Sequence, residues 1–218
     1  MSGRVQIEGR VVDDPDERLD TASLVLNVDG RDWPWRDKAV VVLNKPAGYE
    51  CSLKPRHHPS VMMLLPAPLR LRGVQPVGRL DEDTTGLLLL TDDGELNHRL
   101  TSPKWHAPKV YRVHCRHEVD EAARLRLMAG VVLDDDPAPV KALAVEATSD
   151  PRVILLTLGE GRYHQVKRMM AAVSNRVEAL HRCGMGPLTL DEGEVPVGKW
   201  RWLSAEEEAA LRALRKST

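Results

Sequence analysis

The chain has 218 residues, 42% hydrophobic content and a formal net charge of −1. That suits one medium domain with a small appendage, and it is too neutral for bulk electrostatic coating of nucleic acid, so any RNA contact must use local patches. The N-terminus, Met1-Ser2-Gly3-Arg4-Val5, lacks the apolar core of a signal peptide, no run approaches the ~18 apolar residues of a membrane span, and Cys51, Cys115 and Cys183 lie far apart outside CxxC spacing, which argues against a disulfide framework or zinc site and for a reducing cytoplasm.

Residues 1–37 are acidic, with five arginines against nine carboxylates. The stretch from Arg4 to Val12 alternates and turns like a short hairpin, and Ala22 to Val28 reads as a second strand. Asp32 to Asp37, rich in Asp, Trp and Pro, reads as a linker to a second domain over 38–218. Ala39 to Leu43 is apolar throughout, as in a strand buried on both faces. Gly86 to Thr91 is another such strand, Glu95 to Leu100 a short helix ending before Pro103, and Val110 to Cys115 an alternating strand. Glu118 to Ala129 reads as an amphipathic helix stopped by Gly130, and Val140 to Glu146 and Val153 to Leu158 as strands. Gln165 to Val173 places Val166, Met169, Met170 and Val173 on one helix face, Val177 to His181 is a strand, and Ser204-Ala-Glu-Glu207 is a capping box opening a C-terminal helix. Mixed strands and helices with hairpin-length connections imply an α+β fold, a largely antiparallel mixed sheet with helices packed on it.

The chemistry concentrates around Asp81. It follows Arg79 and precedes a turn, Glu82-Asp83-Thr84-Thr85-Gly86, that feeds an apolar run. Residues 51–80 carry Lys54, Arg56, Arg70, Arg72 and Arg79 with no acid, and residues 97–116 carry Arg99, Lys104, Lys109, Arg112 and Arg116 with none. Two basic arms around an acidic turn would present a carboxylate to a polyanion without repelling it. Asp81, Asp83, Thr84 and Gly86 are equally good turn formers, so both readings stand on composition alone. A second cluster, Glu160-Gly-Arg162-Tyr163-His164-Gln165-Val166-Lys167-Arg168, gathers cations at a helix start, where anions are favoured, though a solvated basic face has the same composition.

Together these motifs resemble the RsuA-type branch of the pseudouridine synthases, which isomerise uridine in ribosomal RNA. The carrying residues are Leu43-Asn-Lys-Pro-Ala-Gly-Tyr49 with Cys51-Ser52, Gly78 to Gly94, Thr101-Ser-Pro103, Lys109-Val-Tyr111, Gly159 to Ala172 and Leu180-His-Arg182, in that order over about residues 38 to 204. The resemblance implies the pseudouridine synthase fold and roles for matching positions. Asp81 would be the nucleophile, attacking at C1′ or at C6. Tyr111 would stack on the flipped base and serve in proton transfer, and Lys167 would pair with Asp81. Leu158 would floor the base, Arg79 would hold displaced RNA, and Arg162, His164 and Arg168 would complete the RNA-binding site. Such an isomerisation needs no metal and no cofactor. His57-His58 and His114-x-x-His117 lack further ligands at sensible spacing. Asp81 and Asp83 are two apart in a turn and so do not read as the facing carboxylates of a glycosidase.

Asp83-Thr-Thr-Gly86 and Arg162-Tyr-His-Gln-Val-Lys167 resemble the small-subunit (16S) enzyme, implying uridine 516 of 16S rRNA or the assembling small subunit as substrate; a 23S enzyme or a non-catalytic RNA-binding assembly factor are the alternatives. The N-terminal region resembles only the second part of the S4-type RNA-binding module usual in the family. A cytoplasmic monomer without membrane contact is the expectation.

Overall fold

The computed structural model describes residues 5–14, 16–21, 24–28, 30–102, 105, 107–134 and 136–214. Of the residues named above, Met1, Ser2, Gly3, Arg4, Ala22, Pro103 and Lys104 lie outside them. The chain divides into two compact units, Met1–Lys38 and Ala39–Thr218.

The first unit is a four-stranded antiparallel sheet of order β2-β1-β3-β4, from β1 (Val5–Ile7), β2 (Arg10–Val11), β3 (Val25–Val28) and β4 (Arg31–Pro34). Glu8 and Gly9 both take positive φ, 49° and 80°, as a two-residue hairpin turn requires. The linker expected over Asp32 to Asp37 is partly a strand: β4 pairs Trp33 with Leu26, and the Asn27 amide donates to Asp32 Oδ1 at 2.8 Å. Asp and Pro disfavour a central strand, but β4 is an edge, where they are tolerated.

The second unit is built on a nine-stranded sheet. In chain order its elements are β5 (Val40–Lys45), a 3-10 turn (Val61–Leu64), α1 (Ala67–Leu71), β6 (Gln75–Pro76), β7 (Thr85–Thr91), α2 (Gly94–Thr101), β8 (Lys109–Cys115) and α3 (Glu121–Ala129). There follow the hairpin β9 (Val131–Leu133) and β10 (Asp136–Val140), then β11 (Ala144–Ala147), β12 (Val153–Leu158), α4 (Gln165–Ala172), β13 (Val177–Met185), β14 (Leu188–Thr189), β15 (Trp200–Trp202) and α5 (Ala205–Arg212). The large sheet runs β11-β12-β8-β13-β7-β5-β15, with β6 on β7 and β14 on β13. Its pairs are antiparallel except β13 with β7.

β5 is fully buried, as its unbroken apolar run requires. Val40 and Val42 join Leu87, Leu89, Leu96, Leu100, Leu203 and Leu211 in a core that docks α2 and α5 onto the sheet. Polar caps set the helix starts: Asp93 accepts from Leu96 N, Asp120 from Ala123 N, and Ser204 and Glu207 form the expected capping box. α3 stops at Gly130, whose φ of 121° suits glycine.

The single strand expected over Val140 to Glu146 is two. β10 closes the β9 hairpin and β11 joins the large sheet, because Ala142 N turns aside to bond Leu127 O of α3 at 2.9 Å. Periodicity along the chain does not register that tertiary bond. β13 runs past the expected His181 to Met185, and β6, β14 and β15 are too short to show alternation.

Candidate active site

The site begins with a lysine that ends an apolar strand. Lys45 is fully buried at the end of β5, and its ammonium donates to the carbonyls of Pro46 at 3.0 Å, Glu82 at 3.0 Å and Thr84 at 2.8 Å. Burial pulls its pKa below the usual lysine value against the attraction of Cys51 and the nearby carboxylates. Gly48 N adds a bond to Glu82 O at 2.8 Å, and Thr84 N closes the turn on Asp81 O at 3.2 Å. Cys51 Sγ accepts from Leu80 N at 3.4 Å. The loop from Leu80 to Thr84 is thereby clamped by the segment 45–51, and Asp81 with it.

The parallel register of β7 on β13 sets that loop beside β13. Thr85 pairs with His181 and Gly86 with Arg182. Only glycine fits here: φ is 101°, and a Cβ would stand 2.8 Å from Arg182 N and closer still to its carbonyl oxygen.

α4 supplies the facing groups. His164, at its N-cap, sits in the left-handed region at φ 47° and stacks on the Tyr163 ring at 3.8 Å. Its Nε2 lies 3.4 Å from Asp81 Oδ1, while Lys167 Nζ lies 3.3 Å from Asp81 Oδ2. Lys167 also bonds both oxygens of Asp83, at 2.7 and 2.9 Å. Burial works against each charge in that pair, yet mutual attraction wins: Asp83 is held below the ordinary carboxylate range and Lys167 above the ordinary lysine value. The two acids of the turn thus share one cation on one side, which is not the arrangement of a glycosidase pair.

These groups surround a cavity of about 80 Å³ whose lining includes Arg79, Asp81, Tyr111, Leu158, Arg162, His164 and Lys167. Tyr111 on β8 stands opposite Leu156 of β12 and Arg182 of β13. Leu158 is 1% exposed at the end of β12 and presents an apolar wall. Arg162 makes an ion pair with Glu160 at 3.2 Å, and its N–H donates to Gln165 Oε1 at 2.7 Å, bracing the start of α4.

A family model for RNA pseudouridylate synthase matches residues 39–172, the span that holds Lys45, Arg79, Asp81, Tyr111, Leu158, Arg162, His164 and Lys167. The chain belongs to the RNA pseudouridylate synthase family. The ribosomal small subunit pseudouridine synthase A of Yersinia pestis is 44% identical over 172 residues, 79% of this chain and 72% of that protein. An uncharacterised RNA pseudouridine synthase of Bacillus subtilis (strain 168) is 39% identical over 209 residues, covering 94% of this chain and 87% of the relative. A crystal structure of a pseudouridylate synthase matches with a TM-score of 0.75 at 36% identity, covering 96% of this chain and 89% of that one. The RsuA-type resemblance, the α+β pseudouridine synthase fold and the class of enzyme are all shown by these matches.

Of the residues singled out in the synthase's sequence, Asp81, Tyr111, Lys167, Arg79, Leu158, Arg162 and His164 meet at one cavity. Arg168 does not line it; its Nη1 donates to Tyr163 O at 3.1 Å, steadying the loop that carries His164. The basic arms are partly neutralised, Arg72 by Asp92 at 2.8 Å and Arg112 by Glu192 at 3.1 Å, because acids distant in sequence fold back onto them. Arg99 lies over the Trp105 ring at 4.6 Å, so Trp105 anchors its own loop. His57 and His58 offer their backbone N–H groups to Glu50, which these bonds hold down at about 2. Sequence reasoning overlooked Lys45 and the sharing of Lys167 by Asp83. The first had a signal: a lysine closing an all-apolar strand must find carbonyl or carboxylate partners.

Proposed function

We propose that this synthase converts one uridine of 16S ribosomal RNA to pseudouridine, by resemblance uridine 516, with Asp81 as nucleophile on a base flipped out of the RNA. The observation that carries the reading is the Asp81 carboxylate set between His164 and Lys167 at a cavity walled by Tyr111 and Leu158. The small-subunit assignment is supported by the ribosomal small subunit pseudouridine synthase A of Yersinia pestis and its Escherichia coli (strain K12) counterpart, the latter 44% identical over 170 residues.

A stacked base cannot reach the carboxylate, so it must be extruded at a cost of a few kcal/mol. Stacking on Tyr111 returns about 1–3 kcal/mol of that. Lys167, 3.3 Å from Asp81, offsets the repulsion between that carboxylate and the RNA phosphates. The carboxylate attacks at C1′ or adds at C6, and the N1–C1′ bond breaks. The uracil turns and C5 bonds to C1′, the carboxylate being released from C1′ or from C6; the C5 proton leaves and N1 takes one up. Product is an isomer of substrate, so no cofactor is consumed. Tyr111 is the ring-side group for proton transfer. Arg79 and Arg162 at the rim hold the displaced strand. The four-stranded N-terminal unit is an S4-like RNA-binding region, and the enzyme acts as a cytoplasmic monomer on free 16S rRNA or on the assembling small subunit.

The test is a pseudouridine map of unmodified 16S and 23S rRNA after incubation with the protein and, separately, with Asp81→Asn. One new site in 16S, absent with the variant, is expected. A site only in 23S overturns the substrate assignment, and equal conversion by the variant overturns the role of Asp81.

A further inference from the structure

A second cavity adjoins the first behind Tyr111. Its volume is about 100 Å³, and Arg79, Tyr111 and Gly161 line both. Lys109 and Arg182 line the second alone, and among the described residues no carboxylate does. The sheet puts these cations together. Lys109 is two residues before Tyr111 on β8, hence on the same face about 7 Å away. Arg182 is the cross-strand partner of Tyr111 on β13, and a register shift between Arg182 and Gly184 sets Met185 rather than Gly184 opposite Lys109.

Neither cation is saturated as a structural one would be. Lys45, buried in the same unit, gives its ammonium to three carbonyls. Arg182 is 2% exposed; its Nε donates to Leu87 O at 2.7 Å, but its Nη2 has no hydrogen-bond partner. Lys109 Nζ donates to Ala107 O at 3.0 Å. Burial, and then the charge of Arg182, press Lys109 down to about 8. Arg79, Lys109 and Arg182 share a cavity to which no described residue contributes a counter-charge, an arrangement an incoming anion would relieve.

We propose that this cavity is an anion subsite that takes a phosphodiester of the substrate RNA beside the flipped nucleotide, held by Arg182 and Lys109 with Arg79 at its mouth. The chemistry fits: a guanidinium offers paired donors to phosphate oxygens and lysine adds a point charge. About 10–15 Å³ of such space holds one water, so the cavity admits a group several atoms across. A nucleotide whose base enters the first cavity carries its flanking phosphates past the shared wall of Arg79 and Gly161. The proposal rests on the reading of the first cavity as the uracil site.

The experiment measures binding of unmodified 16S rRNA at several salt concentrations by the wild-type chain, Lys109→Met and Lys109→Arg. Lys109→Met should bind about tenfold more weakly at 0.1 M salt. Its slope of log affinity against log salt should be shallower by about 0.7, the loss of one single-strand phosphate contact, and Lys109→Arg should restore both. A second arm leaves the protein unaltered, so folding of a variant cannot decide it. Each phosphate within a few nucleotides of the uridine that the wild type converts is replaced in turn by a neutral methylphosphonate in a fragment carrying that uridine. One position should show the same loss with the wild type and no further loss with Lys109→Met. Wild-type affinity and slope for Lys109→Met, or no sensitive phosphate, overturn the subsite. A wild type that converts no uridine in either rRNA overturns the proposed function instead, and the salt series on RNA binding still decides the subsite.

Discussion

Lys167 bridges two carboxylates of one loop, Asp81 at 3.3 Å and Asp83 at 2.7 Å. Asp83 is lowered from its ordinary value, so its share of stability is complete above its unfolded pKa and lost as pH falls through the lowered one. Lys167 is raised, so its share is complete below its unfolded pKa and lost as pH rises through the raised one. The pair therefore stays ionised between about pH 5 and 9. The melting-temperature difference between the wild type and Lys167→Met should be flat across that window and shrink on both sides; an inflection near neutrality would contradict it. Conversion by Lys167→Met should fall at least about 100-fold with RNA binding largely kept, as expected for an electrostatic contribution to the chemical step. A matching loss of binding would show that Lys167 merely holds RNA. Candidate residues at this scale were legible in the sequence because each sits in a short contiguous motif. The sharing of Lys167 with Asp83 was not, since it depends on a contact spanning 84 positions.

At the scale of elements, the site depends on one strand pair of unlike direction. β7 joins β13 in parallel, and at Gly86 their backbones leave no room for a Cβ. Gly86→Ala should destabilise the synthase by roughly 3 kcal/mol or more, through steric overlap with Arg182 and a φ that alanine resists. Thermal or urea unfolding reads this directly, and a variant as stable as the parent would refute the close approach. Long elements announced themselves: β12 matches its expected span, and α4 ends one residue short of expectation. Hairpins and edge strands of two or three residues, such as β6 and β15, carry too few positions for periodicity and form only because a neighbour offers its hydrogen bonds.

For the whole molecule, the division at Lys38 and Ala39 predicts that residues 39–218 fold alone. That fragment should melt cooperatively, and pseudouridine mapping should find it still converting the uridine used by the full chain, with weaker RNA binding at matched salt if the N-terminal unit contributes contacts. A fragment that stays unfolded would refute the autonomy of the larger unit. The membrane question is narrower: among the described residues no helix is long and apolar enough to cross a bilayer.

By itself the sequence determined the buried strands, the capped helices and the short motifs around Asp81, Tyr111 and Lys167, because propensity, capping and motif spacing act over a few neighbouring residues. Tertiary structure alone decided which distant groups meet. Lys45 clamps the loop of Glu82, Glu192 neutralises Arg112, and Arg182 comes to line one cavity with Tyr111 and Lys109 and, among the described residues, no carboxylate. Those pairings are set by strand order and register in a sheet that joins segments far apart in the chain. No local pattern encodes them, and with them goes the charge balance of each cavity.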